Sequence, residues 1–240
     1  MKPLLLTILI CLMSLAVSAE QVLEREDNIY FVDEGGEETQ LTSSGKDRTP
    51  VLSPDGGKVA FIRKSDEEAY LSVGSPDDYL QSGPEGILAD QVWIIDIDGE
   101  NETMLTQDSN PDVTGGYDKW NGEDVVAHID DDTLCFSPDS KKVYFITSAW
   151  VTSGAVHCVN IDGTNEQFVI PGNSIMIIDE GEYKDHLIVR QHKYFLGAGS
   201  YDWLWLFTPE GKLVGPVGPE LTNNQRSSLF SDWRTEKEGD

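Results

Sequence analysis

Two stretches of this chain are near copies of one another, and a copied supersecondary unit constrains a fold more than any single motif. They are Thr49-Pro-Val-Leu-Ser-Pro-Asp-Gly-Gly-Lys-Val-Ala-Phe-Ile-Arg63 and Thr133-Leu-Cys-Phe-Ser-Pro-Asp-Ser-Lys-Lys-Val-Tyr-Phe-Ile-Thr147. Each opens with a short apolar strand, reverses on Ser-Pro-Asp, and continues as a longer apolar strand. Proline pre-sets φ for the reversal and a residue at positive φ completes it, so each stretch is expected to be a β-hairpin.

A second hairpin type alternates with the first. Gln91–Ile97, Asp98-Gly99 and Asn101–Thr106 form one copy; Ala155–Ile161, Asp162-Gly163 and Asn165–Ile170 form another. Asn28–Asp33 and Glu37–Thr42 give an earlier copy, and Tyr201–Phe207 and Lys212–Val217 a later one. Ser174–Arg190 reads as a degenerate hairpin of the first type, and Glu20–Asp27 as a charged lead. The period is therefore four strands. Val59-Ala60-Phe61-Ile62 and Val143-Tyr144-Phe145-Ile146 are apolar on both faces, so these strands are covered on both sides. The fourth strands are polar (Glu37–Gln40, Asn101–Thr103), as an exposed edge requires. Four-stranded antiparallel sheets stacked face to face with blunted outer edges predict an all-β fold of β-propeller type.

These units resemble the TolB-type, WD40-like propeller family. The resemblance lies in Leu-Thr, a spacer, Ser-Pro-Asp-Gly, Lys-x-Val-Ala-Phe and Ile-Asp-x-Asp-Gly, taken in that order. It covers most of residues 28–217 and is strongest at 41–63, 91–106 and 132–170. It implies an exported propeller whose role is to bind protein. Two departures stand out: no α/β domain precedes the repeats, and the count is three whole blades, a leading half blade and a tail, where the family carries six or seven. The tail, Leu221-Thr222 to Trp233, looks like the start of another blade. Its pairing with Asn28–Thr42 would close a ring of about four blades; otherwise the blades stay open and a homodimer would complete the ring.

Composition narrows the partners. The formal net charge is −26, which repels phosphate, so nucleic acid and anionic membrane surfaces are excluded as partners. Lys2 followed by the apolar run Leu4–Val17 and the small residues Val17-Ser18-Ala19 reads as a signal peptide cleaved after Ala19. Residues 20–240 are then one propeller domain in a periplasmic or secreted setting. In an oxidising place Cys135 and Cys158 would be a default disulfide. They fall on the first and third strands of one sheet, however, roughly twice 4.8 Å apart, beyond the reach of about 7 Å between bridged Cα atoms. Two buried free thiols are expected.

Strand parity sorts the connections. Those within hairpins (53–57, 98–100, 137–141, 162–164, 208–211) leave one face and are tight. Those between hairpins leave the opposite face, and two are long: Ser65–Asp90 and Gln107–Asp132. Connections this long in a compact domain are usually functional or disordered. Tyr79, Tyr117 and Trp120, with Tyr70, are the binding candidates they carry.

Catalytic signatures are missing: there is no Gly-x-Ser-x-Gly and no His-Glu-x-x-His, and the histidines at 128, 157, 186 and 192 are scattered. His157 is expected as a satisfied core imidazole and Ser43-x-x-Lys46 as spacer. Asp96-x-Asp98-Gly99 is a turn rather than a calcium loop, and Asp130-Asp131-Asp132 are solvated acids. Tyr201, Trp203, Trp205 and Phe207 share one strand face, where packing is favoured over stacking on sugars. The expectation is a non-enzyme without cofactor or metal that recognises an envelope or secreted protein. The alternatives are the regulatory propeller of a prolyl-oligopeptidase-type peptidase, a sugar-lyase propeller, or a truncated structural relative.

Overall fold

The computed structural model describes residues 20–69, 87–106, 129–150, 153–194 and 199–219. Within them every regular element is a strand. The first sheet has the order β1 (Gln21–Arg25), β2 (Asn28–Val32), β3 (Glu38–Gln40). The second is β4 (Asp47–Leu52), β5 (Lys58–Ala69), β6 (Ile87–Asp96), β7 (Thr103–Met104). The third is β8 (Cys135–Phe136), β9 (Lys142–Trp150), β10 (Ser153–Asn160), β11 (Gln167–Pro171). The fourth is β12 (Ser174–Ile177), β13 (Leu187–Tyr194), β14 (Ser200–Phe207), β15 (Leu213–Pro219). Each is an antiparallel meander, with neighbours in space also neighbours in sequence.

The turns show why the sequence repeats. Ser53 donates its amide to Lys58 O (2.8 Å), takes the Gly56 amide on its carbonyl (2.9 Å) and the Lys58 amide on its hydroxyl (2.9 Å). Ser137 does the same with Lys142 and Ser140, each bond at 2.9 Å. The serine hydroxyls donate in turn to Asp55 (2.6 Å) and Asp139 (2.7 Å), which holds both carboxyls below the usual carboxylate range. The second hairpin type is equally uniform. Gly36, Gly99, Gly163 and Gly211 each donate to the carbonyl three residues back at 2.9 Å, with φ between 77° and 84°.

Stacking follows from strand alternation. On β5, Val59 and Phe61 pack with Ile29, Phe31 and Leu41 of the first sheet, while Ala60 and Ile62 pack with Val143 and Phe145 of the third. On β9, Tyr144 and Ile146 turn the other way, onto Leu187, Val189 and Phe207 of the fourth sheet. All these β5 and β9 side chains are essentially inaccessible, and burying each valine, isoleucine or phenylalanine among them contributes about 1.5–3 kcal/mol. The outer face of the fourth sheet carries its own cluster of Ile178, Ile188, Leu204 and Leu206. Among the described residues no apolar cluster joins the fourth sheet to the first.

The type-two turns also lock sheet to sheet, and two glycines separate this contact from backbone preference. Gly36 and Gly211 both sit at φ +80°. A Cβ on Gly36 would meet nothing within 4 Å, whereas one on Gly211 would meet Val169 O of the preceding sheet at 2.6 Å. Gly36→Ala is expected to cost about 1–2 kcal/mol, the price of left-handed backbone alone. Gly211→Ala adds a clash with fixed backbone, of order 1–3 kcal/mol more. Equal midpoints in urea for the two variants would contradict this reading of the stacking.

Several expectations need correction. Glu20–Asp27 is no loose lead: Gln21–Arg25 pair with β2 through the tight turn Glu26-Asp27, both at positive φ, so the leading unit has three strands. The polar flanks Gln21, Glu24 and Arg25 hid the apolar Val22-Leu23 pair. The fourth strands are shorter than read, three residues in β3 and two in β7. The Ser65–Asp90 connection is also shorter, because the hairpin continues past a bulge to Ala69↔Ile87. Cys135 and Cys158 are free thiols, as expected, each opposite Tyr144 on adjacent strands. Burial raises both, Cys135 to about 12, so neither is a reactive thiolate.

Candidate binding face

The connections between hairpins leave the sheets at the N-terminal end of β4 and the C-terminal end of β5. Two arginines organise this end. Arg63 faces Asp47 across the β4–β5 ladder and grips it with Nε–Oδ1 at 2.5 Å and Nη2–Oδ2 at 2.9 Å. It also reaches Glu102 Oε1 at 2.7 Å, and its guanidinium lies 4.4 Å from the Trp93 ring centroid. Arg48 makes a bidentate pair with Asp90, both bonds at 2.9 Å, and crosses to the third sheet through Asp131 Oδ1 at 2.7 Å and Ile129 O at 3.4 Å. Asp90 Oδ2 accepts the Ile129 amide at 3.0 Å. Burial alone would lower both guanidinium groups, but their carboxylate hydrogen bonds outweigh it and raise them. Each arginine thus holds two acids.

A second set of ties joins the third and fourth sheets at the same end. Asn173 Oδ1 accepts the Gly154 amide at 2.8 Å, and Gln191 Nε2 donates to Pro171 O at 2.6 Å. Beneath them His157 is fully buried, stacked on Phe145 at 5.4 Å between centroids and edge-on to Phe168 at 5.8 Å. Its Nε2 bonds Thr147 Oγ1 at 3.0 Å, while Nδ1 has no hydrogen-bond partner. His157 is therefore a core imidazole, as expected, but only half satisfied. Burial depresses it to about 3, so it is neutral near pH 7.

Tyr79, Tyr117 and Trp120 lie outside the described residues, as does Tyr70. What the structure shows is the foot of the surface that would present them: Arg48 anchors Asp90, at the end of the first long connection, to Ile129 and Asp131, at the end of the second. Asp131 is a solvated acid, as expected, its side chain 63% exposed, and also an arginine partner. Asp96, Asp98 and Gly99 form a turn, with Asp96 paired to Lys58 on the opposite face. No group of metal-ligating side chains occurs among the described residues. The aromatic face of β14 divides: Phe207 and Trp205 pack between the third and fourth sheets, while Trp203 and Tyr201 stand half-buried at the binding-face end. No sequence motif announced Arg48 or Arg63; the available signal was a charged residue closing each end of an apolar run.

Comparison with known proteins bears on the architecture. No protein-family model matches the sequence, and no curated protein matches it significantly. Among solved structures, the tricorn protease superposes with a TM-score of 0.50 at 13% identity, over 82% of this chain and 21% of that one. The fold is a β-propeller. The β-propeller domain of the Trilobed protease from Pyrococcus furiosus, described as having an open velcro topology, matches with TM-score 0.48 and 12% identity over 80% of this chain and 49% of that one. TolB from Acinetobacter baumannii matches with TM-score 0.30 and 15% identity over 80% of this chain and 49% of that one. The chain spans less than half the length of each of these proteins. The four sheets are its blades, and the arginine-anchored end is the propeller face with the long connections.

Proposed function

We propose that this propeller is an exported, non-catalytic scaffold that binds a protein of the cell envelope through the face carrying the long connections. The observation that supports it most is the Arg48 bridge. One guanidinium ties the end of one long connection to the end of the other across two blades. A half-buried, bidentate arginine is a costly way to hold solvated insertions and a suitable way to hold a preorganised recognition surface. Export is inferred from the signal-peptide pattern of residues 1–19, and a protein partner from the charge of −26, which disfavours phosphate-rich ligands.

The test is affinity capture from envelope extract with the intact chain and with a variant in which residues 70–86 are replaced by a short Gly-Ser linker. A captured protein is then purified and titrated against both. The proposal expects at least a tenfold loss of affinity in the variant, with its thermal midpoint unchanged. Equal capture and equal affinity would contradict it.

A further inference from the structure

Among the described residues the first blade is one strand short on its inner side. In the other three, the strand equivalent to β1 pairs on both edges: β5 with β4, β9 with β8 and β13 with β12. The equivalence is fixed by hydrogen bonds, since Ile29 and Val92 each donate their amide to the hydroxyl of the Leu-Thr threonine at 2.9 Å and accept the leucine amide on their carbonyl at 2.8 Å. Among the described residues β1 pairs with β2 alone.

Proteins guard exposed sheet edges with short strands, prolines, bulges or charge. The other edges here follow that rule. β3, β7 and β8 are two or three residues long, and β12 has four. β4 carries Pro50 and a bulge, β11 ends on Pro171 beside a bulge, and β15 holds Pro216 and Pro219 with two register shifts. β1 is five residues without proline or bulge, Gln-Val-Leu-Glu-Arg, in continuous register with β2.

The register shows which groups are on offer. The two-residue turn at Glu26-Asp27, with φ of 51° and 54°, makes Arg25↔Asn28 a hydrogen-bonded pair. Leu23 and Gln21 then also face β2, and the amides and carbonyls of Val22 and Glu24 point to the open edge. Charge selects what could pair there. Glu20, Glu24, Glu26 and Asp27 are exposed along this edge, Glu24 also accepting the Thr49 amide at 3.0 Å, and the cation within β1, Arg25, is already held by Glu38 at 2.8 Å.

We propose that the β1 edge accepts an extended segment of a partner protein as an added strand. That segment would alternate apolar residues, completing the contact that Val51 and Leu52 make in the next blade, and would be flanked by lysine or arginine. This rests on the scaffold reading above but uses a different surface, so the two fail separately.

The test is fluorescence polarisation with the full chain and a labelled peptide, Lys-Lys-Val-Thr-Val-Thr-Val-Lys-Lys, beside a counterpart carrying glutamate at all four flanking positions. The lysine peptide is expected to bind at least tenfold more tightly. Val22→Pro removes an outward amide while leaving the β1–β2 ladder intact, and is expected to weaken binding at least tenfold. Glu20→Lys with Glu24→Lys is expected to abolish the preference between peptides, a second readout should Val22→Pro disturb folding. Equal binding to the Val22→Pro variant, or equal affinity for both peptides, would overturn the proposal. Binding that emerges only when Leu229 and Phe230 are changed to Asp would overturn it in favour of the chain's own tail. A dimer in light scattering that Val22→Pro dissolves would overturn it in favour of a second copy. Loss of peptide binding with retained capture in the connection-deletion experiment leaves the scaffold proposal standing.

Discussion

Asp90→Ala is expected to lower the unfolding free energy by about 3–5 kcal/mol, the range for breaking a buried ion pair from one side. The Asp90 side chain is 1% exposed and that of Arg48 15%. Alanine would take the bidentate partner from a largely desolvated guanidinium, leaving it Asp131 and the Ile129 carbonyl, and would orphan the Ile129 amide as well. Replacing both partners, Arg48→Met with Asp90→Leu, removes the charge together with its counter-charge and is expected to recover part of the stability, the Ile129 amide staying without its acceptor. The recovered double variant should nevertheless bind the partner poorly, because the two connections are no longer tied together. Urea unfolding of the three proteins checks this. A single variant within about 1 kcal/mol of the parent, the typical worth of an exposed pair, would mean that the bridge is peripheral.

Acid is expected to destabilise the protein through His157 before the carboxylates titrate. Its folded value of about 3 lies below the ordinary 6.5 because burial penalises the imidazolium. The sign follows: the unfolded chain binds the proton more readily, so the contribution is complete above pH 6.5 and is lost as pH falls from 6.5 toward 3. Within that window the unfolding free energy should fall with a slope approaching 1.4 kcal/mol per pH unit, the worth of about one proton. The lowered carboxyls of Asp55, Asp96 and Asp139 add losses of the same sign only at lower pH, within their own titration range. His157→Phe with Thr147→Val removes both hydrogen-bonding partners and should flatten the profile between pH 6.5 and 4.5. An unchanged slope in that variant would place the titrating group elsewhere.

The parts of this fold that the sequence displays are those made by local chemistry. Ser53 and Ser137 organise their turns with bonds to residues at most five away, so the motif and the structure are nearly one thing. The two-faced apolar runs of β5 and β9 announced stacked sheets because burial on both sides leaves no room for alternation. β1 escaped notice because its partners on one side only allow three charged or amide residues among five. The arginine anchors were also hidden, since Arg48 meets Asp131 83 positions away and only tertiary structure brings them together. Strand parity placed Asp90 and Asp131, in the two long connections, on one face without knowing that Arg48 joins them. The candidates Tyr79, Tyr117 and Trp120 follow from that parity alone.

The claim on which the rest depends is that the partner meets the face where connections between hairpins emerge. Hydrogen–deuterium exchange of the chain, alone and saturated with its purified partner, tests it most directly. Protection of peptides spanning 65–90 and 107–132, with the turns at 98–100 and 162–164 unchanged, is the predicted result. Protection of those turns with unaltered exchange across both long connections would contradict it.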